Sequence, residues 1–490
     1  MQLFSVDKAL VERYLQSEVL SGVEVAALLE HRGISDGTSI YLDDDTMLPV
    51  EPLNSWARSQ SYADLDASTL REYGRIIARL DRHQRTRGGD LLSATESDLV
   101  SYRRLRTRQQ RKPIGPSAWG KESGLIDRFY GFLVDHKHLE RRPVRVAARG
   151  RNALSPRVRL GMDIRHMTFE QYRYFRDVGL GGQLPDASVN RSFRGWAPHR
   201  GRAGADLALG TGMRWREWAT VLLPELGVGA SAPGSAAEFT VQACAKYGKA
   251  RTIYVPEDAI DSVETYCLLE RPEMARAAAK TLGRKHRDLF VVSRIDHDNG
   301  RVRGVLQGLE REYAMSAMPA DLRRITVIEG EFGLEALTVF ICRGGLMPGA
   351  DSWKRYRHAA WRRMVDLADE TTPRLPAKRW RWHDCRHTYA LQLLTYLENL
   401  MDGEEPDHAA RRRRHRSYLT GHIRYNPLLI VSRRLGHSSP ETTYAYLEYT
   451  DDLIHEFEEA FRDWLGDSKA TYAQIATHAL GTGRSGSGVA

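Results

Sequence analysis

Cysteine is scarce in this chain of 490 residues, and long apolar runs are missing. The four cysteines, Cys244, Cys267, Cys342 and Cys385, lie far apart and form no C-x-x-C pair, which argues against a disulfide scaffold and a thiolate zinc site. No apolar run approaches the roughly 20 residues that span a bilayer, and the first residues lack the pattern of a signal peptide. We therefore expect a cytoplasmic protein with no membrane partner.

A phosphate-binding loop of the form G-x-x-x-x-G-K-[ST] is also absent, which agrees with a function that needs no ATP. We expect no cofactor. Charge, in contrast, is plentiful: 72 Lys and Arg stand against 63 Asp and Glu, a formal net charge of +9. This basic balance favours a polyanionic partner such as nucleic acid, although many basic enzymes never bind DNA.

Hydrophobic spacing and composition divide the chain into five parts. We assign an N-terminal extension to residues 1–55, a small helical domain to 56–140, a basic linker to 141–160, a larger domain to 161–466 and a Gly- and Ser-containing tail to 467–490. The fold class predicted from this pattern is α+β, mainly helical with a small antiparallel sheet.

Local signals place several elements. Thr69 with Glu72, and Thr168 with Gln171, have the form of capping boxes and predict helix starts. Two β-rich runs flank KYGK and predict a hairpin, and RRITVIEG and LTVFICRGG are further strand candidates.

Three segments contain residues suited to phosphate chemistry. In TGMRWREW, Arg214 follows Gly212 at the start of a predicted helix, where a guanidinium and free backbone N–H groups together favour a phosphate. An ordinary exposed arginine is the simpler interpretation of Arg214 taken alone.

In HDCRHTYA, His383 and Arg386 lie on one helical face and could both reach one phosphate. The same H-x-x-R spacing recurs elsewhere in this Arg-rich chain, at His138 and Arg141, His199 and Arg202, and His408 and Arg411. What distinguishes His383 and Arg386 is the apolar helix that follows them. In LGHSSPETTYAYLEY, His437 precedes three tyrosines, Tyr444, Tyr446 and Tyr449, each of which could equally be an ordinary surface group.

The segments TGMRWREW, KYGKAR, HDCRHTYA and LGHSSPETTYAY occur in the order and form of the signature boxes of tyrosine recombinases, the phage integrase family. Residues 60–140 more loosely resemble that family's core-binding domain. The resemblance implies a site-specific recombinase that cleaves and rejoins double-stranded DNA through a phosphotyrosyl bond, for integration, excision or transposition of a mobile element. It also implies a homotetramer assembled on nucleoid DNA, with accessory recombination proteins as further partners.

Matched to the boxes, six residues take catalytic roles: Arg214, Lys246, His383, Arg386, His437 and Tyr446. Tyr446 matches the nucleophile because the family places it nine residues after the final histidine, whereas Tyr444 and Tyr449 fall out of step. By the same match, the arginines neutralise the phosphate, Lys246 protonates the leaving oxygen, and the histidines support proton transfer and the phosphate. Lys249 is the alternative proton donor, since it flanks the same turn.

The sequence departs from the family in two spacings. The stretch between Lys246 and His383 is long, which implies an insertion near residues 290–350. His437 lies 54 residues after His383, about twice the common separation. The excess contains the run RRRRHR, Arg411 to Arg416, which either contacts DNA phosphates or is a solvated loop. After Tyr446, residues 451–466 have the spacing of an amphipathic helix, which either docks on a neighbouring subunit or packs on its own domain.

Three other functions fit parts of the sequence. His383-Asp384-x-x-His387 is one residue away from an H-E-x-x-H zinc helix and would suit a metallohydrolase. A recombinase-like DNA-bound regulator without catalysis would keep the basic domain and lose a box. A type IB topoisomerase uses similar chemistry, but the two-domain layout favours recombination.

Overall fold

The computed structural model describes residues 1–8, 10–11, 21–61, 65–145, 152–155, 164–227, 237–401 and 427–437, together with Thr443 and Tyr446. The chain forms two compact units, residues 1–161 and 162–490. The predicted division into five parts stays a prediction. The expected helix at 451–466, the tail and the Arg411–Arg416 run lie outside the described residues.

Within its described residues, unit 1 contains a two-stranded antiparallel sheet and five α-helices. The strands are β1 (Gln2–Ser5) and β2 (Ser39–Leu42), and the helices are α1 (Gly22–His31), α2 (Leu53–Ser61), α3 (Ala67–Arg85), α4 (Glu96–Arg104) and α5 (Pro116–Asp135). Helix α3 begins at Ala67 rather than at the predicted Thr69, because the Asp66 side chain accepts a hydrogen bond from the backbone N–H of Ser68.

One apolar core holds unit 1 together. Trp56 of α2 packs edge-on against Phe129 of α5, with ring centroids 5.3 Å apart. Tyr41 of β2 is fully buried in the same core, and the Asn54 side chain accepts from its backbone N–H at 2.9 Å and donates to its carbonyl at 2.8 Å. Residues before 56 therefore belong to this core.

Unit 2 contains nine helices and seven strands within its described residues. The helices are α6 (Phe169–Arg173), α7 (Pro198–Thr211), α8 (Trp215–Trp218), α9 (Glu257–Leu269), α10 (Arg271–Arg284), α11 (Ala320–Arg324), α12 (Ala350–Asp366), α13 (Trp382–Met401) and α14 (Pro427–Leu435). The strands are β3 (Ala237–Val241), β4 (Arg251–Val255), β5 (Phe290–Asp296), β6 (Arg301–Leu306), β7 (Leu309–Ala314), β8 (Thr326–Gly330) and β9 (Gly333–Ala336). The capping box predicted at Thr168 is confirmed.

Two sheets lie in unit 2, and the α+β class is confirmed. Strands β3 and β4 form the predicted antiparallel hairpin around KYGK, with Val241 opposite Arg251. The second sheet has the order β7-β6-β5-β8-β9, in which β5 and β8 run parallel. It occupies much of the predicted insertion, and RRITVIEG supplies β8.

The LTVFICRGG segment forms no named strand, contrary to its β-rich composition. Its carbonyls are bound by two buried arginines instead: Arg271 donates to Val339 at 3.3 Å, and Arg200 donates to Ile341 at 2.8 Å. The side chains of Val339, Phe340 and Ile341 are all fully buried. The backbone of this apolar run is therefore satisfied partly by guanidinium groups and partly by an isolated antiparallel bridge between Leu222 and Thr338, where the Val339 N–H donates to the Val221 carbonyl at 2.9 Å.

A cluster of tryptophans forms the centre of the unit 2 core. The ring centroid of Trp218 lies 4.8 Å from that of Trp353 and 5.1 Å from that of Trp382, and Trp353 and Trp382 are 5.6 Å apart. Trp218 ends α8 and Trp382 begins α13, so aromatic packing anchors the end of α8 and the start of α13. Among the described residues, no helix is both long and apolar enough to cross a membrane.

A buried ion pair joins α11 to the turn after α8. The Arg323 guanidinium donates to both carboxylate oxygens of Glu225 at 2.7 Å, and to the carbonyls of Thr220 at 3.1 Å and Met315 at 2.6 Å. Both side chains are almost completely buried. A buried ion pair of this kind is costly to break, because the surviving charge loses its partner without regaining water.

We expect Glu225→Gln to lower the free energy of unfolding by about 3 kcal/mol, because the buried Arg323 charge is left without a counter-charge. Urea unfolding followed by tryptophan fluorescence measures the loss. The matched control is Glu312→Gln, which removes the exposed partner of Arg301 and Arg303 and should change stability much less. Equal effects of the two substitutions would contradict this account of the ion pair.

Candidate active site

The turn between α7 and α8 places Arg214. Gly212 adopts a left-handed conformation with φ of 61°, and a Cβ atom there would lie 2.3 Å from the Tyr389 ring. Only glycine fits both requirements. The chain therefore reverses tightly after α7, and Arg214 becomes the N-cap residue of α8, at the helix start predicted from the sequence.

Glu217, one turn into α8, is a buried carboxylate between two arginines. It accepts from the Arg214 backbone N–H at 2.7 Å, from the Arg214 guanidinium at 3.3 Å, and from the Arg251 guanidinium. Burial alone would raise the pKa of Glu217, but the charge and hydrogen bond of Arg251 outweigh it and the pKa lies below its ordinary value. Glu217 is thus charged, and it holds both guanidinium groups in place.

Arg386 lies in the first turns of α13 and is buried. Its guanidinium donates to the carbonyl of Gly212 at 2.7 Å and to the carbonyl of Leu435 at the end of α14. Burial, and then the charge of Arg214, lower its pKa, yet a guanidinium keeps its proton at neutral pH. The site therefore contains a buried positive charge held by carbonyl oxygens.

Two histidines of α13, His383 and His387, lie one helical turn apart. The rings of His383 and His387 are edge-on, with centroids 4.7 Å apart, and His387 Nδ1 lies 2.9 Å from the Tyr446 hydroxyl. Burial and neighbouring positive groups lower the pKa of His387 to about 3 and that of His383 to about 4, although part of the His383 side chain is open to solvent. Both rings are neutral at physiological pH.

Tyr446 is 1% exposed and is held on several sides. Its backbone N–H donates to the carbonyl of Thr443 at 3.0 Å, and its ring is stacked on that of His437, with centroids 6.3 Å apart and planes 9° apart. His437 Nδ1 lies 2.8 Å from the Thr443 hydroxyl. Burial raises the pKa of Tyr446 to about 12 against the opposing charges of Arg386 and Arg214, and burial chiefly lowers that of His437 to about 3.

The two candidate lysines flank the hairpin turn. Lys246 begins the single 3₁₀ turn Lys246–Gly248 between β3 and β4, and its side chain is exposed. Lys249 is also exposed, and its ammonium group donates to the carbonyl of His437 at 3.0 Å. The hairpin thus reaches the segment that carries His437.

The structure brings five of the six expected residues into one cluster in unit 2: Arg214, His383, Arg386, His437 and Tyr446. Lys246 lies on the adjoining hairpin. Tyr444 and Tyr449, the alternative nucleophiles, lie outside the described residues.

Sequence reasoning missed three members of the cluster: Glu217, Arg251 and His387. The sequence did contain a signal for Glu217. A glutamate three residues after Arg214, located between two tryptophans, has the pattern of a buried capping residue at a helix N-terminus. His387 was considered only as a zinc ligand. Arg251 carried no local signal, since it is one of many arginines.

The zinc alternative does not gain ligands from the fold. The Asp384 carboxylate interacts with two arginines instead of the histidines. It accepts a hydrogen bond from the Arg381 backbone N–H at 2.8 Å and lies 3.6 Å from the Arg165 guanidinium. Within the part of the chain that the structure describes, no group of three or more His, Cys, Asp and Glu side chains is placed to hold a metal ion.

No protein-family model matches the sequence, and no curated protein matches it. Solved structures to which the chain is similar include two site-specific recombinases. One is the XerH site-specific recombinase bound to a palindromic difH substrate in a post-cleavage complex, at 11% identity and a TM-score of 0.41 over 84% of each chain. The other is the XerA recombinase, at 13% identity and a TM-score of 0.29 over 84% of this chain and 95% of that chain. At these TM-scores the likeness adds no argument on function or on the roles of individual residues.

The low pKa values of the site histidines predict acid sensitivity. Between about pH 6.5 and pH 3, unfolded histidine is protonated while His387 in the folded protein is not, so stability falls as the pH is lowered through this window. Each such histidine contributes a slope of up to about 1.4 kcal/mol per pH unit. His387→Gln cannot take up a proton and should reduce the slope by about that amount.

Urea unfolding at about pH 6, 5 and 4 measures this slope. The control is His286→Gln in the same unit, whose ring is exposed and which should leave the slope unchanged. A slope for His387→Gln equal to that of the wild type would show that the buried imidazole is not the group that acid protonates.

Proposed function

We propose that this protein is a tyrosine-type site-specific DNA recombinase. The observation that carries the proposal is the buried Tyr446 hydroxyl, 2.9 Å from His387 Nδ1, in a cluster that also contains Arg386, Arg214 and His437. A tyrosine among buried cations suits attack on a phosphodiester, and the four sequence boxes point to the same chemistry.

Tyr446 is the proposed nucleophile. Its oxygen attacks the phosphorus of a DNA phosphodiester, a 3′-phosphotyrosyl ester forms, and the bond to the 5′ oxygen breaks. In the free protein the pKa values of about 12 for Tyr446 and about 3 for His387 leave both groups neutral. The phenol proton therefore moves toward His387 as the phosphorus–oxygen bond forms, and not beforehand.

Arg386 and Arg214 are the proposed binding groups for the nonbridging oxygens. Attack increases the negative charge on these oxygens, and guanidinium groups already held in position stabilise it without reorganisation. Glu217 fixes Arg214 by two hydrogen bonds, and the carbonyls of Gly212 and Leu435 fix Arg386. His383, open to solvent beside His387, and His437 are proposed to support the phosphate.

The leaving 5′ oxygen needs a proton, and Lys246 is the proposed donor, with Lys249 as the alternative. In the reverse step the 5′ hydroxyl of a second strand attacks the phosphotyrosyl ester and releases Tyr446. The ester keeps the free energy of the broken bond, so rejoining needs no ATP.

Exchange between two duplexes requires four such sites, and we therefore propose a homotetramer assembled on double-stranded DNA. Accessory recombination proteins are proposed as further partners. The proposed outcome is integration, excision or transposition.

Tyr446→Phe should abolish a covalent protein–DNA adduct, because it removes only the attacking oxygen and keeps the buried ring. The substrates are nicked duplexes drawn from the DNA that flanks the coding sequence, since a nick lets the cleaved fragment diffuse away and traps the adduct. The assay scores adducts that resist SDS, in EDTA, for the wild type, for Tyr446→Phe, and for the controls Tyr444→Phe and Tyr449→Phe.

An adduct that persists in Tyr446→Phe would assign the nucleophile to another tyrosine. Wild-type protein that binds these duplexes but never forms an adduct would favour the DNA-bound regulator. An adduct that needs zinc would favour the metal alternative, and relaxation of supercoiled DNA without any site preference would favour a topoisomerase.

The proton donor can be identified with a substrate whose 5′ bridging oxygen is replaced by sulfur, because a thiolate leaves without protonation. We expect the Lys246→Ala substitution to slow cleavage of the normal substrate by about 100-fold or more. The same variant should cleave the sulfur substrate at close to the wild-type rate. Lys249→Ala is the matched control and should lose little on either substrate. Slowing and rescue seen with Lys249→Ala instead would reverse the assignment.

A further inference from the structure

Unit 2 contains a second cationic site, built from residues that do not belong to the candidate active site. It is a cavity of about 680 Å³ between the segment 193–201, at the start of α7, and one face of α12. We name it the arginine cavity, because six arginines line it: Arg194, Arg200, Arg355, Arg362, Arg363 and Arg379.

Within the described residues, no carboxylate balances the positive charge of this cavity. Its lining includes no aspartate or glutamate. Among the described residues, none of the six arginines forms an ion pair with a carboxylate, whereas eighteen other arginines of the described chain do. Like charges around one cavity repel one another, and an anionic ligand would relieve that repulsion.

Two of the guanidinium groups are held in position by the core. Arg200 is 1% exposed, donates to the carbonyl of Ile341 at 2.8 Å, and lies 4.4 Å from the ring centroid of Tyr356 and 4.8 Å from that of Trp196. Its Nε atom is buried and has no hydrogen-bond partner in the described structure. A buried donor left unsatisfied is costly, and an oxyanion in the cavity is the kind of group that would satisfy it.

Arg363 is held in the same way on the other side. Its Nε donates to the carbonyl of Gly179 at 2.8 Å, and its guanidinium lies 4.7 Å from the Phe193 ring centroid. Burial and the charge of Arg362 lower the pKa of Arg363 to about 10. Positive charge is therefore concentrated in this cavity in the absence of a ligand.

The arrangement selects the chemistry of the ligand. Guanidinium groups bind phosphate oxygens through charge-assisted and often bidentate hydrogen bonds. Guanidinium groups already cover the rings of Phe193, Trp196 and Tyr356, so these rings are not free to stack on a nucleobase. The cavity would therefore recognise its ligand by charge. We propose that the arginine cavity is a second phosphate-binding site of unit 2, which takes either DNA phosphodiesters or a free polyphosphate group.

The test uses the full chain with Arg362→Gln and Arg379→Gln combined. Both side chains are exposed, so their loss should not disturb folding, which thermal unfolding verifies. The matched control combines Arg284→Gln and Arg287→Gln, two exposed arginines of the same unit outside the cavity. Each protein is titrated with inorganic tripolyphosphate by calorimetry, and with a labelled duplex over a range of salt concentrations.

If the cavity takes free polyphosphate, the double variant binds tripolyphosphate at least about tenfold more weakly than the wild type and the control, with its DNA binding unchanged. If it takes DNA phosphodiesters, the slope of log affinity against log salt falls by about 1.8 in the double variant, about 0.9 for each lost contact. The proposal is overturned if neither quantity differs between the double variant and the control. The tripolyphosphate titration does not involve Tyr446 or strand cleavage, so its result is independent of the proposed recombinase activity.

Discussion

The buried guanidinium of Arg386 is the contact on which the rest of the site depends. It joins the Gly212 carbonyl, at the start of the α7–α8 turn, to the Leu435 carbonyl at the end of α14, so three segments far apart in the chain meet at one side chain. Taking a charge out of water is expensive, and oriented carbonyl dipoles offset part of that cost. Arg214, held by Glu217, and Tyr446, held by His387, then complete the cluster around this charge.

Surplus positive charge dominates the electrostatics of the site. Burial, and then the neighbouring positive groups, keep His383, His387 and His437 neutral, since each pKa lies far below that of a free imidazole. Neutral imidazoles can accept a proton, and the guanidinium groups of Arg386 and Arg214 can stabilise a phosphate oxyanion. The arginine cavity follows the same physical principle, because its guanidinium groups are held by carbonyls and aromatic rings rather than by carboxylates.

Local sequence patterns predicted local structure well. The KYGK hairpin, the Thr168 cap and strand β8 each depend on a few consecutive residues, and each is confirmed. The five-stranded sheet was largely missed because its strands are short and charged on their open face, so they lack a long apolar alternation. LTVFICRGG forms one isolated bridge at Thr338 rather than a strand, and guanidinium groups from distant parts of the chain, which a local window does not show, bind its Val339 and Ile341 carbonyls.

The sequence by itself determined the α+β class. It also identified Arg214, His383, Arg386, His437 and Tyr446 as candidate site residues, because the chemistry of a short motif depends on the spacing of its residues along the chain. Tertiary structure decided that His387 rather than His383 contacts the Tyr446 hydroxyl, that Glu217 binds two arginines, and that six arginines from three segments line one cavity. These contacts join residues up to about 200 positions apart. Helical and strand periodicities specify which face a side chain occupies, but only the packing of the folded chain specifies which distant group it meets.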